Sequence, residues 1–117
     1  MSGKASRRKG HDYEREVAKL YRQHGFIDAK RGYQNRSGAD EPDVKGLPFW
    51  VECKHYGKPP SAWTAIEQAE TAIDEGDGGQ MPVAHLKHTR CGSLVAIREA
   101  EWFRIVERLS KLPDWRW

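Results

Sequence analysis

Residues 42–55 read PDVKGLPFWVECKH and carry the strongest β signal in the chain. Residues 43–45 and 48–55 predict two strands of a β-hairpin, because apolar and aromatic residues dominate the second run. Gly46 and Leu47 stand between the two runs and predict the turn. The rest of the predicted fold extends outward from this hairpin.

Side-chain alternation along the second strand separates its chemistry from its packing. Glu52 and Lys54 are expected to face one side of the sheet, and Val51 and Cys53 the other side. Asp43, at the start of the partner strand, is then expected to lie beside Glu52 across the hairpin. The pattern predicts a polar cleft on one face and a buried thiol on the other.

Helical and strand patterns flank the hairpin on both sides. They predict a helix over 11–24 ended by Gly25, a strand over 26–30, a loop over 31–42, a helix over 61–75 capped by Ser61, strands over 82–87 and 93–97, and a helix over 99–109. The apolar stripe of the last helix is expected to point inward and consists of Trp102, Phe103, Val106 and Leu109. The order α-β-β-β-α-β-β-α predicts an α/β fold with a central, mixed, five-stranded sheet flanked by helices.

Length and composition bound the class of protein. A chain of 117 residues with 32% charged residues and a net charge of +3 is expected to form one domain, and it permits nucleic-acid binding without demanding it. No apolar run approaches the roughly 20 residues that a membrane span needs. Two cysteines are too few for a disulfide scaffold, and no secretory signal is evident. We therefore expect a cytoplasmic protein, or one of the host cytoplasm if the chain is viral.

The termini differ in composition from the predicted domain, which covers residues 11–112. Residues 1–10, MSGKASRRKG, are small and basic and predict a disordered arm. The basic residues of this arm that are candidates for phosphate contacts are Arg7, Arg8 and Lys9. Residues 113–117 predict a C-terminal tail.

The residue types of the hairpin suit metal-assisted phosphate chemistry. Clustered carboxylates such as Asp43 and Glu52 repel each other unless a cation neutralises them. Hard oxygen ligands suit Mg²⁺, which keeps several waters and bridges to phosphate oxygens. Lys54 can stabilise the charge that grows on the phosphate, and Glu14, on the first helix, can complete the metal or water site. The alternative for each residue alone is structural: a turn-forming Asp, or a Glu-x-Lys pair on an exposed strand.

The chain resembles a known family at two places. Pro42-Asp43, followed by Glu52-Cys53-Lys54, matches the signature of the PD-(D/E)xK nuclease superfamily. The segments 8–16 (RKGHDYERE) and 24–26 (HGF) resemble the first helix of archaeal-type Holliday-junction resolvases and the start of the strand after it. The resemblance spans roughly residues 7–75. It implies a restriction-endonuclease-like core.

The resemblance implies a role for particular residues of this chain. Asp43 and Glu52 would bind Mg²⁺, with Mn²⁺ able to substitute, assisted by the backbone carbonyl of Cys53. Lys54 would be the catalytic lysine, and Glu14 would be the essential helix glutamate and a metal ligand, directly or through water. The expected DNA contacts are Arg15 and the loop over residues 31–38, with its Arg31, Arg36 and Ser37. Apart from the resemblance, the position of Gln68 on the helix after the catalytic strand makes it a candidate auxiliary residue facing the cleft, the alternative being a solvated helix face.

The implied activity is resolution of four-way DNA junctions by a homodimer. Hydrolysis would use in-line attack by a metal-activated water and leave a 5′-phosphate. Two features depart from the family: the loop is longer and more acidic near Asp40 and Glu41, and Trp115, Arg116 and Trp117 have no counterpart. The alternatives are a flap, single-strand or sequence-specific nuclease of the same superfamily, or a non-catalytic nucleic-acid-binding module on a nuclease scaffold.

Other reactive residues favour ordinary roles. His85, His88 and Cys91 have a spacing that suits zinc, but a fourth ligand is missing, so we expect surface or DNA-facing histidines and a turn cysteine. Cys53 is expected to be a buried structural thiol rather than a nucleophile. Trp63 is expected to pack in the ordinary way, the alternatives being base stacking or a dimer interface.

Overall fold

A computed structural model describes residues 3–33, 41–58, 61–76 and 78–116. These residues form three helices and five strands in the predicted order. The elements are α1 (Gly3–Gln23), β1 (Lys30–Arg31), β2 (Val44–Lys45), β3 (Phe49–Tyr56), α2 (Ala62–Glu75), β4 (Met81–His88), β5 (Gly92–Ala96) and α3 (Glu99–Ser110). The predicted α/β class and mixed five-stranded sheet flanked by helices are confirmed.

The strands follow their chain order across the sheet, from β1 to β5. All neighbours pair antiparallel except β3 and β4, which are parallel and are connected through α2. The predicted hairpin is confirmed, since Val44 pairs with Val51. Its turn requires glycine: Gly46 has a φ of 82°, and a Cβ there would collide with the backbone carbonyl of Asp28.

The two faces of β3 pack against different helices, as side-chain alternation predicts. Val51 and Cys53 belong to a buried cluster with Tyr13 and Val17 of α1. Trp50 belongs to a cluster with alanines of α2 on the other face. Glu52 and Lys54, the catalytic candidates on β3, alternate with Val51 and Cys53 and therefore lie on the side of the strand that faces α2.

Two boundaries in the first third of the chain differ from the predictions. Residues 3–10 are helical rather than a disordered arm, because Lys, Ala and Arg are good helix formers and extend α1 beyond its apolar stripe. The predicted strand over residues 26–30 is also wrong. Gly25, at a φ of 113°, ends the helix as predicted, but the chain then turns, since the Phe26 N–H donates to the Tyr21 carbonyl. Only Lys30–Arg31 forms a strand.

The helix α2 is confirmed, and Ser61 caps it by accepting a hydrogen bond from the Thr64 backbone N–H at 3.2 Å. The helix α3 is confirmed as a helix, but its burial is not. None of its residues, all of which the structure describes, is buried, and Trp102 and Phe103 are 50% and 58% exposed. Amphipathic spacing predicts that a helix has an apolar stripe, but the spacing does not say what will cover that stripe.

Some predictions lie outside the described residues, namely those for Arg36, Ser37, Asp40 and Trp117. Among the helices of the described segments, none combines the length and the apolar character that a membrane span needs.

Candidate active site

The residues predicted to be catalytic converge on one cavity of about 210 Å³. It is lined by Glu14 from α1, Asp43 from just before β2, Glu52 and Lys54 from β3, and Gln68 from α2. These groups come from α1, the hairpin and α2, and they meet at the point where β2 begins. The structure thus brings together every residue of the predicted catalytic set.

Asp43 is fixed by the end of the hairpin. Its backbone N–H donates to the Val51 carbonyl at 2.8 Å, which continues the strand pairing by one residue. Its carboxylate Oδ2 then accepts from the Cys53 N–H at 2.8 Å. The Asp43 side chain therefore takes the place of a strand partner at this point of the β3 backbone. This bond holds Asp43, which is 7% exposed, beside Glu52.

Glu52 is the most deeply buried acid of the cavity, at 4% exposure. Its Oε1 accepts a hydrogen bond from the indole N–H of Trp50 at 3.0 Å. Burial and the neighbouring Asp43 raise the pKa of Glu52 to about 8. Burial also raises the pKa of Asp43 above its usual value, although the Cys53 N–H and Lys54 oppose that rise. Two adjacent buried carboxyls with raised pKa values form a site that a cation would stabilise.

Lys54 is held at the cavity by α2. Its Nζ donates to Gln68 Oε1 at 2.9 Å, so the predicted auxiliary residue contacts the predicted catalytic lysine. Lys54 is partly buried, whereas Gln68 is exposed. A single neutral partner orients the ammonium and leaves its other protons available to an incoming anion.

Glu14 is engaged by a residue that the sequence predicted for DNA contact. Arg31 Nε donates to Glu14 Oε2 at 2.8 Å, and the two side chains are 17% and 14% exposed. Burial and Asp43 raise the pKa of Glu14, while the bond to Arg31 lowers it. The Arg31 guanidinium also lies over the Tyr33 ring, 5.3 Å from its centroid. The positive charge of Arg31 therefore offsets the negative charge of Glu14, so Arg31 is not a free cation on the surface.

The cavity offers two acidic side chains for a metal rather than three. Within residues 3–33, 41–58, 61–76 and 78–116, no group of three or more His, Cys, Asp or Glu residues is arranged to hold a metal ion. Glu14 is bound to Arg31, which leaves Asp43 and Glu52 as the adjacent pair. Mg²⁺ commonly uses one or two protein carboxylates and completes its shell with water and substrate phosphate. The donor set therefore fits magnesium better than a metal that needs a complete protein cage.

The other basic residues predicted to contact DNA that the structure describes lie on α1. Arg7 and Arg8 are exposed and Lys9 is partly buried. Arg8 and Lys9 line a neighbouring cavity of about 320 Å³. Arg15 is exposed and bonds to Asp12 at 3.0 Å. None of these positions tests contact with DNA, which stays a prediction.

The histidines of the zinc-like spacing do not converge. His85 Nε2 lies 2.7 Å from the Tyr21 hydroxyl beneath α1, and burial lowers the pKa of His85 to about 4. The prediction of a surface or DNA-facing residue is therefore wrong for His85. His88 Nε2 instead lies 3.2 Å from the Gly57 carbonyl, and Cys91 is an exposed turn residue, as predicted. Cys53 is buried, as predicted, and burial raises the pKa of its thiol.

The sequence did not predict two hydrogen bonds to acids of the cavity, from Trp50 to Glu52 and from Arg31 to Glu14. Trp50 shares a strand face with Glu52, so side-chain alternation was a signal from which its hydrogen bond could have been predicted. Arg31 had no such signal, because its contact with Glu14 joins β1 to α1 only in the folded chain. Trp63 was expected to pack, but it is 67% exposed, with the Arg98 guanidinium 5.2 Å from its ring centroid.

No protein-family model, no curated protein and no solved structure matches this chain.

Proposed function

We propose that this protein is a Mg²⁺-dependent endonuclease that hydrolyses phosphodiester bonds in DNA, with four-way junctions as its substrate, on a restriction-endonuclease-like core. The convergence of Glu14, Asp43, Glu52 and Lys54 on one cavity is the observation that carries this proposal. Buried carboxyls and a lysine at the end of a hairpin suit hydrolysis of a charged diester better than they suit a purely structural role.

Asp43 and Glu52 would hold the metal, and the backbone carbonyl of Cys53 would assist them. A bound Mg²⁺, which Mn²⁺ could replace, would lower the pKa of a water and neutralise charge on the phosphate. The two carboxyls contribute through their burial, since an ion bound in a water-poor cavity acts on the substrate with little solvent screening. The Cys53 N–H holds Asp43 in position for this task.

Lys54 would stabilise the charge that develops on the phosphate oxygens during attack. Gln68 orients the Lys54 ammonium through its side-chain carbonyl, so we assign Gln68 a positioning role. Arg31 neutralises Glu14 in the free protein. A phosphate entering the cavity would offer Arg31 a second anionic partner, which a guanidinium binds well.

The preference for four-way junctions rests on the resemblance of residues 8–16 and 24–26 to resolvases. The alternatives remain a flap, single-strand or sequence-specific nuclease, which would use the same cavity, and a non-catalytic module, which would bind nucleic acid without cutting it. We also propose a cytoplasmic location, because Cys53 and Cys91 are free thiols and the cytoplasm keeps thiols reduced.

The deciding experiment offers the purified chain four labelled substrates in Mg²⁺: a four-way junction, a flap, a single strand and a linear duplex. Paired symmetric cuts near the branch point are the expected result. Equal cutting of all four would reject the junction preference but keep the nuclease. Absence of cutting in both Mg²⁺ and Mn²⁺ would reject the enzyme.

Matched variants separate this activity from a contaminating nuclease. Asp43→Asn and Lys54→Ala are each expected to slow cleavage by about 10²–10³-fold. Asp28→Asn and Lys19→Ala make the same chemical changes at exposed positions away from the cavity and are expected to cleave normally. Cleavage that persists unchanged in Asp43→Asn and Lys54→Ala would show that the catalytic assignment is wrong.

A further inference from the structure

The side of β3 that faces α2 carries one residue to which the proposed chemistry gives no task. Trp50, Glu52 and Lys54 follow each other along this side of the strand. Trp50 is 8% exposed and packs in a buried cluster with Ala69 and Ala72 of α2. An apolar ring would be sufficient for packing alone, whereas a buried indole also needs a partner for its N–H.

The partner of the Trp50 N–H is the carboxyl group of Glu52. The indole Nε1 donates to Glu52 Oε1 at 3.0 Å, and both side chains are buried. A hydrogen bond to a charged acceptor is stronger than one between neutral groups. The Trp50 ring is itself held between β3 and α2, so it gives the long and flexible side chain of Glu52 a fixed point of attachment.

The bond to Trp50 uses one oxygen of Glu52 and leaves the other oxygen for a ligand. Asp43 is divided in the same way, because its Oδ2 accepts from the Cys53 N–H at 2.8 Å. The Asp43 and Glu52 carboxyl groups also hydrogen-bond to each other. Each acid is therefore fixed by an N–H donor of β3, and the two carboxyl groups converge on a position where one cation could contact both.

We propose that Trp50 is a positioning residue of the metal site, whose indole N–H orients the Glu52 carboxyl group toward Asp43 and thereby raises the affinity of the folded protein for Mg²⁺. The inference rests on the proposed function, because it takes Asp43 and Glu52 to be the metal ligands. Trp50 itself would contact neither the ion nor the DNA. Groups that hydrogen-bond to a metal ligand typically account for about 10–100-fold in metal affinity or activity.

A purely structural role for Trp50 leads to a different expectation. The ring fills space between β3 and α2, so a smaller side chain would lower the free energy of unfolding whether or not the N–H matters. Trp50→Phe keeps an aromatic ring and removes the N–H, but it also removes volume. Stability and metal affinity therefore have to be measured separately, because only the positioning role connects the indole N–H with the ion.

The first test measures Mg²⁺ binding to the full chain by isothermal titration calorimetry without DNA, so that cleavage plays no part. Trp50→Phe is expected to bind Mg²⁺ about 10–100-fold more weakly than the wild type. Trp102→Phe makes the same change at a half-exposed position on α3 and is expected to bind normally. Val83→Ala weakens the buried cluster on the α1 side of the sheet, away from Glu52, and is expected to bind normally although it is less stable.

The outcomes of this test separate the positioning role from the metal site itself. Equal Mg²⁺ affinities of Trp50→Phe and the wild type would overturn the role of Trp50 and leave the proposed nuclease intact. An equal loss of affinity in Val83→Ala would also overturn it, because the loss would then follow stability and not the N–H. A wild type that binds neither Mg²⁺ nor Mn²⁺ would refute the metal site and the positioning role together.

The second test observes the indole N–H directly and does not require Trp50→Phe to fold. The chain has five tryptophans, and each gives an indole signal in a nitrogen–proton correlation spectrum. The Trp50 signal is expected to exchange slowly with solvent, because the group is buried and hydrogen-bonded, and to shift as Mg²⁺ is added until the site is saturated. In Glu52→Gln the same additions should leave it unmoved. A Trp50 signal that does not respond to saturating Mg²⁺ in the wild type would overturn the proposal.

Discussion

The catalytic cavity and the helix α3 depart in opposite ways from the usual pattern of buried apolar and exposed charged residues. In the cavity, Asp43 and Glu52 bury carboxyl groups, whereas α3 exposes Trp102 and Phe103 to solvent. Charged groups are usually exposed and large apolar groups usually covered. Burying the two carboxyls costs folding free energy, whereas leaving the aromatic side chains exposed only forgoes the stabilisation that burial would give. The cation that we propose for the cavity would offset the first of these.

The two departures differ in how the chain supports them. The buried acids are held by specific hydrogen bonds, from the indole of Trp50 to Glu52 and from the Cys53 N–H to Asp43. Among the described residues, the hydrogen bonds that hold α3 to another element are those from Arg98, at the base of the helix, to Glu70. We therefore expect the cavity to be more rigid than α3.

The largest expected effect is on the cavity and comes from Glu52→Gln. The amide keeps the shape of the side chain and its bond to Trp50, but it removes a metal-binding charge, so cleavage should slow by about 10³-fold. Stability without metal should rise, because one of two adjacent buried carboxyls is gone. Single-turnover cleavage and urea unfolding in EDTA measure the two effects. Glu107→Gln, on an exposed residue, should change neither.

Divalent metal should stabilise the folded protein by binding in the catalytic cavity. At about 100 times its dissociation constant, Mg²⁺ should raise the free energy of unfolding by about 2.7 kcal/mol, because it binds only the folded site. Thermal unfolding with and without Mg²⁺, at matched ionic strength, measures this gain. Glu52→Gln should lose it. An equal gain in both proteins would place the ion somewhere other than the cavity.

Truncation of apolar side chains should distinguish the core from the exposed residues of α3. Val51 is 0% exposed, so Val51→Ala should lower the free energy of unfolding by about 2 kcal/mol. Phe103→Ala removes a larger side chain but should cost less than about 1 kcal/mol, because that side chain is already 58% exposed. Urea unfolding of both variants checks the difference. Equal losses would mean that α3 packs on its own chain in solution.

A further expected effect is a pH dependence of stability that comes from His85, which packs under α1. The pKa of His85 falls from 6.5 to about 4 on folding, so the unfolded chain binds a proton first. His85 should therefore lower the free energy of unfolding by about 3 kcal/mol as pH falls from about 6.5 to about 4, while the raised pKa of Glu52 contributes in the opposite direction. His85→Gln should flatten this part of the curve. His24→Gln, on an exposed histidine, should leave it unchanged.

Local patterns were sufficient where each residue's environment follows from its neighbours. The hairpin turn at Gly46, the two faces of β3 and the Ser61 cap of α2 were all predicted from spacing and residue type. The errors fall where a local signal is weak. Residues 3–10 lack an apolar stripe but are good helix formers, and residues 26–30 are apolar enough for a strand but have room only for a turn.

The candidate site was predicted as a set, whereas its internal contacts were not. Alternation put Glu52 and Lys54 on one strand face, and hairpin pairing brought Asp43 beside them. The bond between Glu14 and Arg31 joins two elements that no spacing relates, so only the packing of α1 against β1 reveals it. The prediction for His85 was wrong for the same reason, since its partial burial depends on Tyr21, from a helix distant in the sequence.

The sequence by itself determined which segments are helices or strands in most of this chain, and which residue types would share a strand face. Both follow from backbone periodicity, which acts over a few residues. The tertiary structure alone decided that Arg31 binds Glu14, that His85 is partly buried against Tyr21, and that no residue of α3 is buried. Those outcomes depend on contacts between segments that are distant in the sequence. An amphipathic pattern predicts that a helix has an apolar side, but it does not predict which surface packs against that side.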